Sequence, residues 1–106
     1  MTDAWERGKS LFAEGYFWEA HEAWEELWLA SDRASCEGLV VRGLIQAAAA
    51  CLKSQQGNAR GVEILARRAA QTLRSAGVDR WRGISVAALC GALDGLRVGQ
   101  RLYLQE

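Results

Sequence analysis

Apolar residues return every three to four positions along most of this 106-residue chain, the period of a helix buried on one side. Thr2 or Asp3 caps a first helix that places Trp5, Leu11 and Phe12 near one face, and Gly15 ends it. A second helix runs from about Tyr16 to Leu29, and the polar stretch Ala30 to Ser35 offers Ser31, Asp32 or Ser35 as the next cap. The third, from Cys36 to about Gln55, contains "GLVVRGLIQAAAACL" and is apolar around most of its circumference, as a central helix must be. "QQGN" turns the chain at Gly57, and Asn58 caps a fourth helix of about Ala59 to Ala76. Val62, Leu65, Ala66, Ala69 and Leu73 point inward there, and Arg60, Arg67, Arg68 and Arg74 outward. Gly77 breaks it, "VDRWRGIS" is a loop able to pack Trp81 on the body, and Ser85 caps a fifth helix to about Leu96. "RVGQRLYLQE" reads equally as a final turn or an apolar tail. The expected architecture is all-α: an antiparallel helical bundle of about five helices and two helical hairpins, with residues 1–106 as a single domain.

Composition sharpens this picture. Proline is absent and half of the residues are hydrophobic, which suits helices around one core. The net charge is zero, yet residues 1–52 hold nine acids against four bases and residues 53–106 hold nine bases against four acids. Opposite halves of a small domain neutralise each other most simply across helix contacts, and no run of five like charges indicates a nucleic-acid partner. Cys36, Cys51 and Cys90 fit neither a disulfide framework nor a metal knuckle, so buried thiols in a reducing, cytoplasmic compartment are expected. Arg42 and Gln46 interrupt the longest apolar run and the first residues are polar, so neither a membrane span nor a signal segment is expected. The fifth helix, with Val86, Leu89, Cys90 and Leu93, is apolar nearly all round and is either covered or a homo-oligomer contact. No protein partner can be named.

The candidate chemistry centres on "YFWEAHEAWEELW", which sets four glutamates around the only histidine. Helical rotation puts Phe17, Ala20, Trp24 and Leu27 in the core and Glu19, Ala23 and Glu26 in solvent, leaving Trp18, His21, Glu22, Glu25 and Trp28 at the boundary. His21 and Glu25, four apart, can share a divalent cation (Zn, Mn or Fe) or a hydrogen bond, and Glu22 is placed as a general base. No second histidine exists, and the Glu-x-x-His pattern of di-iron bundles is absent. On the third helix Arg42, Gln46 and Lys53 form a polar stripe. A buried Arg42 would need a carboxylate, so a pocket joining Glu22 or Glu25, His21, Arg42 and Gln46 is expected, either as a structural network or as a ligand site.

"EAHEAWEELW" (Glu19 to Trp28), "GLIQAAAA" (Gly43 to Ala50) and "GNARGVEIL" (Gly57 to Leu65) together resemble a family of small all-α proteins of unknown function. Its signature is HExWExxW followed by GLIQ, and it is often labelled a predicted metal-dependent hydrolase. The resemblance, over about residues 5 to 75, implies an antiparallel bundle with the signature helix facing the GLIQ helix. The signature falls on His21, Glu22, Glu25 and Trp28, then Gly43 and Gln46, then Gly57, Asn58 and Gly61. Where many members carry histidines near the end of the GLIQ helix, this chain has Lys53 and Ser54.

Three functions follow as expectations. One is a metal-dependent hydrolase with His21 and Glu25 as ligands and Glu22 as base. Another is a helical-repeat-like interaction module. The third is a small-ligand or anion pocket lined by Trp28, Arg42 and Gln46. With one histidine and no nucleophile elbow or phosphate loop, a binding or structural role ranks above catalysis.

Overall fold

The computed structural model describes residues 3–106, so Thr2 lies outside the described residues. Asp3 caps α1 (Ala4–Ala13), its carboxylate accepting the Glu6 N–H at 2.8 Å. Gly15, at φ +87°, reverses the chain into α2 (Phe17–Leu29). Ser35 then caps α3 (Cys36–Gln55) through the Gly38 N–H. Gly57, at φ +72°, ends that turn, and the Asn58 side chain accepts the Gly61 N–H at 2.8 Å to open α4 (Ala59–Ser75). The Gly57, Asn58 and Gly61 of the signature thus build a helix stop and a helix cap.

Gly77 ends α4, and the expected loop contains a minimal antiparallel hairpin, β1 (Arg80–Trp81) with β2 (Ile84–Ser85). Its two-residue turn, Arg82 at φ +46° and Gly83 at φ +83°, has both residues in the left-handed region, as tight hairpins prefer. The hairpin seats Trp81 edge-on against Trp5 at 4.9 Å between centroids. Ser85 caps α5 (Val86–Asp94), which stops at Gly95, short of Leu96.

Packing is sequential: α1 on α2, α2 on α3, α3 on α4 and α4 on α5. One core includes Trp5, Phe12, Trp24, Leu44, Leu73 and Leu89. Trp24 is fully buried because α1 presents Gly8 beneath it; a Cβ there would lie 2.2 Å from the indole nitrogen. At about 25 cal/mol per Å2, burying an indole of roughly 200 Å2 contributes on the order of 5 kcal/mol before entropy is counted. Gly43 gives α4 the same close approach, its Cβ position falling 2.5 Å from Leu73.

The last segment is an apolar tail, not a helix. Ser54, buried near the end of α3, accepts the Gly99 N–H at 3.0 Å and donates to the Gln100 carbonyl at 2.6 Å. Arg101 donates to the Phe12 and Ala13 carbonyls, satisfying the end of α1, and its guanidinium lies over the Phe17 and Tyr103 rings.

Several expectations need correction. Ala23 is buried, not solvent-facing, because it lies on the α1 side of α2, where Glu26 pairs with Arg7. Cys36 is exposed at the start of α3, whereas Cys51 and Cys90 are buried. The charged halves scarcely neutralise each other: among the described residues, only Glu37–Arg82 joins an acid of the first half to a base of the second. Facing helices instead bring alanine and leucine together, so the charges are left on outer surfaces. Among the described residues, no helix is long and apolar enough to cross a membrane.

Candidate functional site

α2 presents its polar residues in two rows. Trp18, Glu22, Glu25 and Leu29 fall on one outer stripe and all four are exposed. His21 and Trp28, both half-buried, lie beside that stripe. The opposite flank carries Glu26, paired with Arg7 of α1, so the His21–Trp28 flank is the one turned toward α3. His21 stacks on Trp18 with rings 8° from parallel and centroids 5.3 Å apart, and its Nε2 lies 3.8 Å from a Glu25 carboxylate oxygen. Trp28 is covered by Arg33, whose guanidinium lies 4.6 Å from the ring centroid. Arg33 sits in the connection after α2, where no periodicity could reveal it.

On α3 the least buried stripe is Arg42, Gln46, Ala49 and Lys53. Arg42 is exposed and needs no buried carboxylate; among the described residues, no ion pair joins it to Glu22 or Glu25. This corrects the expected pocket. Gly43 marks the side of α3 that meets Leu73 of α4, and Lys53 meets Gly61 of α4. By helical rotation, Gln46 lies on the α4 shoulder of the stripe, with His21 and Trp28 at its α2 border. The residues share one outer face without converging on one point.

Three polar atoms on this face are buried away from any protein partner. His21 Nδ1, Trp28 Nε1 and Gln46 Oε1 are buried and have no hydrogen-bond partner among the described residues. A buried polar atom left unpaired costs roughly 1–3 kcal/mol, so most such atoms in native proteins are paired. Trp28 Nε1 can only donate and Gln46 Oε1 can only accept. Whatever satisfies both must bring an acceptor and a donor.

The same residues fit a metal poorly. Catalytic zinc takes three protein ligands as a rule. Here His21 and Glu25 make a pair, and no group of three His, Cys, Asp or Glu suited to a cation occurs among the described residues. Glu22 stands out in solvent on the neighbouring stripe. At the end of α3, where the chain departs from the family pattern, Ser54 holds the tail and Lys53 packs against the α4 turn.

No curated protein matches this chain. The model of a domain of unknown function, DUF309, matches residues 5–65, from the first turn of α1 into α4, and so takes in both signature helices. With more than half of its length matched, the chain belongs to the DUF309 family.

Proposed function

We propose that this protein is a binding module and that the α2–α3 face is where its partner sits. The observation that carries this reading is the set of unpaired buried atoms on His21, Trp28 and Gln46. A peptide group offers a carbonyl to accept from Trp28 and an N–H to donate to Gln46. A chain segment lying across the α3 stripe presents both along its length. Trp28 and Gln46 are half-buried, and side-chain rotations of the kind common on binding bring their polar atoms out. Trp18, 53% exposed and stacked on His21, supplies the aromatic anchor that such contacts favour. Buried free Cys51 and Cys90 suit a cytoplasmic setting.

Calorimetric titration tests this against the hydrolase reading, which has only the His21–Glu25 pair behind it. Capped dipeptides should bind the parent and lose their heat in His21→Ala and Gln46→Met. One-to-one uptake of Zn, Mn or Fe that disappears in His21→Ala and Glu25→Ala would instead return the site to metal chemistry. Silence toward every peptide would also count against the binding module.

A further inference from the structure

Trp28 and Arg33 meet where α2 gives way to α3, and neither has an acceptor for its N–H groups. Trp28 Nε1 is buried with no hydrogen-bond partner among the described residues. The Arg33 guanidinium lies 4.6 Å from the centre of the same ring, and Arg33 is exposed and in no ion pair among the described residues. The acids close to it in the chain are engaged elsewhere. Glu25 faces His21 at 3.8 Å, Asp32 accepts the Ala34 N–H at 3.1 Å inside its own turn, and Glu37 pairs with Arg82 at 2.8 Å.

We infer that Trp28 Nε1 and Arg33 form a carboxylate subsite at one end of the α2–α3 face, so that the partner segment presents an acidic side chain or a chain-terminal carboxylate there. The inference rests on the reading of that face as a peptide site and names the group that it selects. An indole N–H and a guanidinium can only donate, so one group that serves both must be an acceptor. A carboxylate has two oxygens, one for the indole and one for the guanidinium fork, and its charge-assisted bonds are about twice as strong as neutral ones. A peptide carbonyl serves the indole without that charge. A lysine or arginine of the partner would bring donors to donors and a like charge to Arg33.

The charge around the ring selects a singly charged anion over a phosphate. One guanidinium covers Trp28, and the exposed Glu22 and Glu25 stand on the neighbouring stripe of α2, where they repel a dianion more than a monoanion. Arg33 reaches the ring from the connection between the helices, not from a helix. Its exposed side chain can therefore swing onto an arriving carboxylate while α2 and α3 stay in place, and the same movement uncovers the indole.

Calorimetric titration of the full chain with three dipeptides tests the inference. Two are alanyl-glutamate and alanyl-glutamine with both ends capped, and the third is alanyl-glutamine with its terminal carboxylate free. At about 20 mM salt at least one of the two acids should bind roughly tenfold tighter than the neutral peptide, the difference between a charged and a neutral hydrogen bond, and which acid does so identifies the source of the carboxylate. The advantage should shrink at about 500 mM salt, where the screening length is only roughly 4 Å. It should vanish in Arg33→Met, which keeps a flexible chain over the ring and drops the charge. Far-ultraviolet circular dichroism checks that this variant is folded, and the salt series needs no variant at all. Equal affinity for all three peptides, or an acid preference untouched by salt or by Arg33→Met, would overturn the carboxylate subsite and leave the peptide-binding reading standing. Failure of all three peptides to bind would overturn both.

Discussion

Replacing Gln46 with methionine puts a number on the unpaired oxygen. Methionine has similar length and helix propensity, so the exchange mainly removes the amide. Gln46 Oε1 is buried without a partner, a state that costs roughly 1–3 kcal/mol. The residue as a whole is only half-buried, so the lower end of that range applies. Gln46→Met is therefore expected to stabilise the protein by about 1 kcal/mol. For a domain of this size that raises Tm by roughly 4–8 °C. Urea and thermal unfolding followed by two probes give the value and check two-state behaviour. A loss of stability of about 1 kcal/mol or more would refute the reasoning, because it would mean that the amide is already satisfied inside the protein.

Gly8→Ala gains about 1 kcal/mol of helix propensity but drives a Cβ into the Trp24 indole, 2.2 Å away; overpacking of that kind costs more than the gain, and a net loss of roughly 1–3 kcal/mol in urea unfolding, with an altered near-ultraviolet Trp signal, is the expected result. Burial pushes the Cys51 thiol up to about 11, and it also raises that of Cys90, so iodoacetamide at pH 8 should label exposed Cys36 first, with Cys51 reacting only on unfolding; fast labelling of Cys51, read by peptide mass spectrometry, would contradict its burial in the core. The Arg74 guanidinium beside Asp94 holds that carboxyl below its ordinary range. Its contribution to stability is present above the unfolded carboxylate pKa and is lost as pH falls through the lowered native value. An NMR titration should show the Asp94 midpoint rising in Arg74→Gln, and an unmoved midpoint would remove the assigned cause.

The helices were legible because their signals are local. Asp3, Ser35, Asn58 and Ser85 sit at the starts and Gly15, Gly57 and Gly77 at the turns, and each does in the structure what its chemistry suggests. Trp24 and Leu73 declared themselves as core by spacing, although what seats them, Gly8 and Gly43, depends on which helices touch. That long-range information is what periodicity lacks. Arg42 was misplaced for the same reason: α3 is apolar nearly all round, and nothing within its sequence says which narrow strip escapes the neighbours. The tail was ambiguous because its order comes from partners far away in sequence, Ser54 and the α1 carbonyls that Arg101 caps. At the candidate site the residue set was visible on α2 and α3, but its division across the α3 stripe emerged only from the packing of α4.

On the proposed reading, the signature face meets a partner rather than completing itself. Indole 15N–1H spectra of the free protein, with Trp28 assigned by Trp28→Phe, test it most directly when a capped dipeptide is added. The Trp28 Nε1–H signal should shift and saturate with peptide, and Gln46→Met should weaken this response, while the Trp5 signal stays in place. A Trp28 signal that ignores peptide, or one that shifts only when zinc is added and returns with chelator, would contradict it.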